Sequence, residues 1–216
     1  MEIIIAGAGG HGRVVLDILR AAGKHTIAGF LDANQDLHGA QIGGVTVLGA
    51  LNLLPKLKSK GVRGAIVAIG DNRVRRSYAK KLAAAGLELI NAIHPSAVIS
   101  PTAKLGHNVV IAAGAIVCTE ARICDSVIIN TAAVVDHECE VGEAVHVAPG
   151  VRLAGRVGVG EEAFIGIGAN VLPCLKIGEQ AIVGGGALVR KDVPAGATVV
   201  GVPARLSKSP AVALGL

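Results

Sequence analysis

Residues 129–164 read INTAAV VDHECE VGEAVH VAPGVR LAGRVG VGEEAF when written in sixes. An aliphatic residue opens each hexad, and a small or aliphatic residue holds its fifth place. The pattern runs unbroken from 99 to 194, with openers Ile99, Leu105, Ile111, Val117, Ile123, Ile129, Val135, Val141, Val147, Leu153, Val159, Ile165, Val171, Ile177, Val183 and Val189. The fifth places, from Ala103 to Val193, hold only Ala, Val, Leu or Cys. A helix does not accommodate this, because six residues advance it by roughly 600° and scatter the apolar positions around its surface. Each hexad instead reads as one short strand plus a corner. Three hexads close a triangular coil, and the two apolar positions fill the interior of a parallel β-helix. Gly, Ala, Asn or Asp occupies the second place in eleven of sixteen hexads, which suggests a corner that needs unusual backbone angles there. Sixteen hexads predict about five stacked coils, whose ends need covering.

The composition narrows the function classes. The longest uncharged apolar run, Val109 to Cys118, is about half of the ~20 residues that span a bilayer, so no membrane insertion is expected. The opening MEIIIAGAGG has no basic n-region and reads as a buried strand, with the cytoplasm as the expected compartment. Cys118, Cys124, Cys139 and Cys174 show no CxxC spacing and read as reduced, packed thiols. A net charge of +5 raises nucleic acid as a partner, but Phe30, Tyr78 and Phe164 are the only aromatic rings of Phe, Tyr or Trp, too few for stacking platforms. Small anionic ligands explain the charge more economically.

Ahead of the repeats lies a segment of α/β character, residues 1–92, with the hexapeptide segment over 93–216. Glu2 to Ala6 leads into GAGGHG, Gly7 to Gly12. A helix follows with Val14, Val15, Ile18 and Leu19 on one face and Gly23 at its end. Strand, glycine loop and helix point backbone N–H groups at a phosphate. A second strand, Thr26 to Leu31, ends at Asp32, placed to hold a ribose hydroxyl. A third, Gly64 to Ile69, ends at Gly70, Asp71 and Asn72 before a basic helix with Arg73, Arg75 and Arg76. GAGGHG also fits the fingerprint of NAD-dependent dehydrogenases. Ninety residues, however, hold one mononucleotide half and not the two that a dinucleotide spans.

Histidines gather between Asn130 and Gly150. His137 and Glu138 are third and fourth in their hexad, outside the packed places, and His146 closes the next. Polar residues at outward places are ordinarily only solvated. An adjacent His and Glu nonetheless suit the removal of a proton from a nucleophile, because imidazole titrates near neutrality and a carboxylate beside it stabilises its protonated form. A non-catalytic nucleotide-binding scaffold would have no use for that pair. His107, His137 and His146 lack the close histidine pair of zinc-binding β-helices, and no metal site is expected.

GAGGHG, FLD at Phe30 to Asp32, AIGDN at Ala68 to Asn72, IHPSAVISP at Ile93 to Pro101, the DHECEVGEAVHV block and GVPAR at Gly201 to Arg205 together resemble the nucleotide-amino-sugar acetyltransferases of the hexapeptide-repeat superfamily. That group includes the UDP-4-amino-sugar and GDP-perosamine N-acetyltransferases and the sialic acid O-acetyltransferases. The resemblance implies a Rossmann-like half-domain followed by a left-handed parallel β-helix, assembled as a homotrimer. It implies transfer of an acetyl group from acetyl-CoA to the 4-amino group of a nucleotide-linked deoxy sugar, with sugar O-acetylation as the alternative. Carried over by motif, the general base falls on His137 and its supporting carboxylate on Glu138. Acetyl-CoA contacts fall on His146, Ile167 and Gly185, and nucleotide-sugar contacts on Gly9, Gly10, His11, Asp32, Ala33 and Gly70. Ala33 departs from the second acidic residue that bacillosamine-type members often carry.

Overall fold

The computed structural model describes residues 1–207; residues 208–216 of the expected C-terminal tail lie outside the described residues. The first ninety residues form a six-stranded sheet of β1 (Glu2–Ala6), β2 (Thr26–Leu31), β3 (Gln41–Ile42), β4 (Val45–Gly49), β5 (Gly64–Val67) and β6 (Glu88–Leu89), with helices α1 (Gly10–Ala22), α2 (Leu54–Ser59) and α3 (Asn72–Ala84). The spatial order is β3-β4-β2-β1-β5-β6, parallel throughout except for the β3–β4 pair. Strands β1 and β5 are apolar at nearly every position because both faces of the sheet are covered. One face packs α2 and α3 around Ile4, Leu31, Val67, Ala79 and Leu82. The other packs α1.

Seventeen two-residue strands follow, β7 (Ala92–Ile93) through β23 (Leu188–Val189), then β24 (Thr198–Val200) and β25 (Arg205–Leu206). They form three sheets, the faces of a prism. The first face carries the strands ending at Ile93, Ile111, Ile129, Val147, Ile165 and Val183; the second, those ending at Ile99, Val117, Val135, Leu153, Val171 and Val189; the third, those ending at Leu105, Ile123, Val141, Val159 and Ile177. Within each face residue i pairs in parallel with residue i+18, as Ile128 does with His146 and Val134 with Arg152. Hexad openers and fifth places fill the interior, nearly all fully buried. The repeat shortens at its end, where Ile182 pairs with Thr198 and the antiparallel strand β25 closes the sheet.

The corners correct one expectation. The unusual backbone angle sits at the fourth place of the hexad and not the second: from Asn108 to Gly186 every fourth-place residue has φ between 54° and 69°. Its N–H then donates to the third-place carbonyl of the preceding coil, as Glu138 does to Thr119 and Arg156 to His137, both at 2.9 Å. Small second-place residues have a different cause. At the corner between the third and first faces, a Cβ on Gly160 would lie 2.5 Å from the backbone nitrogen of Glu179 in the next coil. The thiols are corrected as well: only Cys139 is buried, donating to the Ala154 carbonyl at 3.1 Å, while Cys124 and Cys174 are exposed and Cys118 is half-buried.

The sheet and the prism share a core. Val15, Leu16, Ile18 and Leu19 of α1 pack on Ala92, Val110, Ala112 and Ile128 of the first face. Val14, expected on the same apolar face, is instead 39% exposed at the rim of a cleft. Val110 and Ile128 are fully buried, each stabilising the junction by about 1.5–3 kcal/mol at most. After β6 the chain enters the prism, so the sheet holds one mononucleotide half and no second half follows it, which disfavours the dehydrogenase reading.

Gly160→Ala forces a methyl group against backbone that cannot yield without unstacking a coil. A loss of about 1–3 kcal/mol is expected, read as a lowered Tm in thermal denaturation.

Candidate active site

The carboxyl ends of β1 and β5, the start of α1 and the corner between the first and second faces enclose a cleft of about 840 Å³. Gly9, Gly10, His11, Asp32, Ala33, Gly70 and His146 all line it, as do Tyr78, Asn130, Thr131 and Pro149, which sequence reasoning missed. The glycine loop is shaped by two tight contacts. Gly7 has φ 109°, and a Cβ on Gly12 would lie 2.3 Å from the Gly7 carbonyl oxygen. Nothing lies within 4 Å of a Cβ at Gly9 or Gly10, so the space above them is open to a ligand. The N-terminus of α1 has no side-chain cap and no acidic residue in its first turn, which leaves its N–H groups and dipole free for an anion. Asp32 binds the loop itself: Oδ2 accepts from the Ala8 N–H and Oδ1 from the Asn34 N–H, each at 2.8 Å.

His146 comes from the first face and not from an outward, solvated position. It is 5% exposed, its ring centroid 6.3 Å from that of His11 and edge-on to Phe164 at 5.2 Å. Its tautomer follows from its neighbours. Asn130 Oδ1 accepts from the Thr131 N–H at 2.8 Å, so Asn130 presents Nδ2 to His146 Nε2 at 3.2 Å. Nε2 therefore accepts, and in the neutral ring the proton resides on Nδ1. Burial, then the charges of Arg75 and His11, pushes His146 down to about 3, against a smaller opposing effect of the Gly70 backbone; burial and then Arg75 push His11 down to about 4. Both rings are neutral at pH 7. His146 Nδ1 has only the Gly70 backbone beside it, and His11 Nε2 is buried without a hydrogen-bond partner, an arrangement that costs free energy until a ligand meets it.

Ile167 and Gly185 lie on the same corner of the prism as Thr131 and Pro149, one and two coils further along. Ile167 is 65% exposed, and a Cβ on Gly185 would touch its Cγ2 at 3.1 Å. The corner thus runs from the cleft to a bare apolar edge. His146, grouped by motif with these two residues, sits at the cleft end beside the glycine loop.

His137 and Glu138 occupy a different corner, between the second and third faces, and do not line the cleft. His137 Nδ1 lies 2.9 Å from Glu138 Oε2, both side chains about half exposed. The left-handed turn at Glu138 follows directly on His137, whose own N–H donates to Asp136 Oδ1 at 2.7 Å. The Nε2 edge of the ring rests over Gly155, 18 residues on, where a Cβ would fall 2.3 Å from Nε2. Sequence reasoning missed Gly155, although the 18-residue coil places it next to His137 in the following coil.

Residues 2–82 match the family model described as the PglD N-terminal domain. PerB from Caulobacter crescentus, solved in complex with CoA and GDP-perosamine, is 45% identical over 96% of this chain and 97% of its own, with a TM-score of 0.91. The chain belongs to the nucleotide-amino-sugar N-acetyltransferases of the hexapeptide-repeat superfamily. The acetyltransferase domain of PglB from Neisseria gonorrhoeae is 37% identical over 95% of this chain and 99% of its own, with a TM-score of 0.89. A UDP-N-acetylbacillosamine N-acetyltransferase from Bacillus subtilis is 36% identical over 52% of this chain, and the match spans about half (51%) of that relative's length.

Because the Gly155 contact is with the mobile end of a side chain, Gly155→Ala should fold normally while displacing the His137 ring. If His137 is the general base that the resemblance implies, kcat falls about 10–100-fold, with substrate KM and Tm nearly unchanged in steady-state and melting measurements.

Proposed function

We propose that this protein transfers the acetyl group of acetyl-CoA to the 4-amino group of a nucleotide-linked deoxy amino sugar, in surface or protein-linked glycan synthesis, acting as a homotrimer. The observation that carries this reading is the near full-length match to PerB, joined to a cleft whose glycine loop and open helix N-terminus suit a nucleoside diphosphate. The diphosphate binds over Gly9 and Gly10 at the start of α1, with Asp32 and Ala33 beside the nucleoside. His11, Gly70 and His146 face the ligand from the floor. The coenzyme arm runs along the edge marked by Ile167 and Gly185. Among the described residues no helix is long and apolar enough to cross a membrane, and the proposed compartment is the cytoplasm.

The chemistry needs a neutral amine and somewhere for its proton to go. The amine nitrogen attacks the thioester carbonyl carbon and His137 Nε2 takes the proton, while Glu138, held to Nδ1, supports the imidazolium. The tetrahedral intermediate then expels the CoA thiolate, which takes up a proton to leave as the free thiol.

One chain does not bring these parts together, since the cleft and the His137–Glu138 pair stand on separate corners of the prism. A neighbouring copy supplies the missing half when prisms pack side by side, its His137 corner meeting the cleft corner of the first. The second face carries Val98, Ile116, Val134 and Leu188 outward, interrupted by Arg152 and Asn170, and this largely apolar surface between those two corners suits such packing.

His137→Ala is expected to lower kcat about 10²-fold or more with little change in affinity for either substrate. Gly9→Val, whose side chain enters open space in the cleft, should raise KM for the amino-sugar nucleotide and spare acetyl-CoA. Thiol release with UDP-, GDP- and dTDP-linked 4-amino sugars measures both. Activity of His137→Ala within threefold of wild type rejects the base.

Mixing the two defective chains tests the assembly. If each site joins one chain's cleft to another's His137, random co-assembly restores about a quarter of the sites. A mixture as inactive as its components places the whole site within one chain.

A further inference from the structure

Arg75 is the largest fully buried side chain among the described residues, in a chain whose other arginines reach the surface or its edge. It reads in the sequence as one of three cations on a basic helix, but its neighbours on α3 behave differently. Arg76 meets Glu143, Glu161 and Glu162, and Arg73 meets Glu162 and Gln180. Arg75 meets no carboxylate within 4.0 Å among the described residues. Its charge-bearing fork is satisfied by neutral oxygens: Nε donates to the Ser126 carbonyl at 2.7 Å, Nη1 to those of Ile69 and Gly70 at 3.0 and 2.8 Å, and Nη2 to Asn72 Oδ1 and the Ala144 carbonyl at 2.8 Å each.

Those partners belong to two bodies. Ile69 and Gly70 follow the carboxyl end of β5 and line the cleft. Ser126 and Ala144 belong to successive coils of the prism, and Ala144 stands two residues before His146. We propose that Arg75 is the positioning residue of the nucleotide cleft: its planar fork fixes the Gly70 wall against the coil bearing His146, and its unpaired charge is the buried counter-charge for the bound diphosphate. This rests on the nucleotide-sugar reading above.

The electrostatics agree with the geometry. A buried cation without an anion is costly, and loss of solvent lowers Arg75 to about 9, opposed by the charge of Asp71. Asp71 Oδ1 is itself engaged as the cap of α3, accepting from the Val74 N–H at 2.8 Å. A diphosphate at the adjacent helix N-terminus supplies the absent negative charge, in a site where low dielectric magnifies the attraction. The same unpaired charge helps hold His11 and His146 neutral, so one fixed cation stands behind the cleft wall while the rings that line it are uncharged. Lysine supplies the charge but not the positioning, because an ammonium has three donors and no planar fork to span five acceptors.

The test is calorimetry with UDP, GDP and acetyl-CoA on the full-length protein, joined to steady-state kinetics. Arg75→Met is expected to weaken the nucleoside diphosphate that the wild type binds by tenfold or more and to raise the sugar nucleotide KM in parallel, leaving acetyl-CoA affinity within twofold. Arg75→Lys should bring diphosphate affinity back to within threefold of wild type while kcat stays below a tenth. Arg76→Met, which cuts a different contact of the same seam, should leave the ratio of diphosphate to acetyl-CoA affinity unchanged. The proposal is overturned if Arg75→Met binds the diphosphate within twofold of wild type, or if acetyl-CoA affinity falls equally, which would reduce Arg75 to a fold residue. Should Arg75→Met fail to fold, a wild-type kcat in Arg75→Lys overturns the positioning role. A wild-type protein that binds neither diphosphate overturns the nucleotide-sugar reading itself, an outcome visible before any variant is compared.

Discussion

Parallel pairing of residue i with residue i+18 is the constraint on which the rest of this molecule depends. It converts sequence spacing into vertical rows, so each row can carry one chemical task along the length of the prism. Inside, openers and fifth places interdigitate as a single column of small and branched side chains. Outside, the rows diverge. The first face is apolar at Val110 and Ile128 because α1 covers it. The corner between the third and first faces carries Asp125, Glu143, Glu161 and Glu179 in one file, and Arg76 of α3 settles on the middle of that file. The corner between the second and third faces sets His137 against Gly155, where the absent side chain is what leaves the imidazole its place.

The junction between the two bodies is built differently from either interior. Hydrophobic packing of α1 supplies its area, but its registration comes from buried polar groups that accept few alternatives. Asn108 Oδ1 receives the Val67 N–H at 2.7 Å, and Asn108 Nδ2 donates to Ser126 Oγ at 3.0 Å. Arg75 adds its fork a few residues away. A buried polar group left unpaired costs more than a well-made hydrogen bond stabilises, so these contacts disfavour every other docking angle. The cleft inherits its shape from that restriction.

How much of this was legible follows from which features are periodic. The coils were readable because sixteen hexads repeat one local instruction. The glycine loop was readable because strand, tight turn and helix leave a compact signature. Two features misled. Small second-place residues looked like sites of unusual backbone angle, yet they answer to the coil above; the left-handed residue is the fourth, where Glu138, Arg156 and Gln180 give no compositional sign of it. His146 looked like an outward residue, because nothing in the local pattern says that a second body covers the first face. Arg75 was illegible for the same reason: burial of a helix cation is decided by contacts 51 and 69 residues away. Gly155 was within reach, since adding 18 to His137 finds it.

The division of the site across corners has a consequence for how its parts can vary. On the proposed reading, the base and its carboxylate belong to the repeat, where the left-handed corner and the neighbouring coil constrain them. On the same reading, the groups facing the nucleoside belong to loops after β1 and β2, where the space over Gly9 is open. On the proposed reading, the nucleotide recognised is therefore free to change through loop residues that leave the His137 corner untouched. Acetyl transfer is tied to the geometry of the coil itself. A fold that stores its chemistry in the rigid repeat and its recognition in the appended sheet can retain one reaction while exchanging substrates, and the seam held by Arg75 and Asn108 is where the two are kept in register.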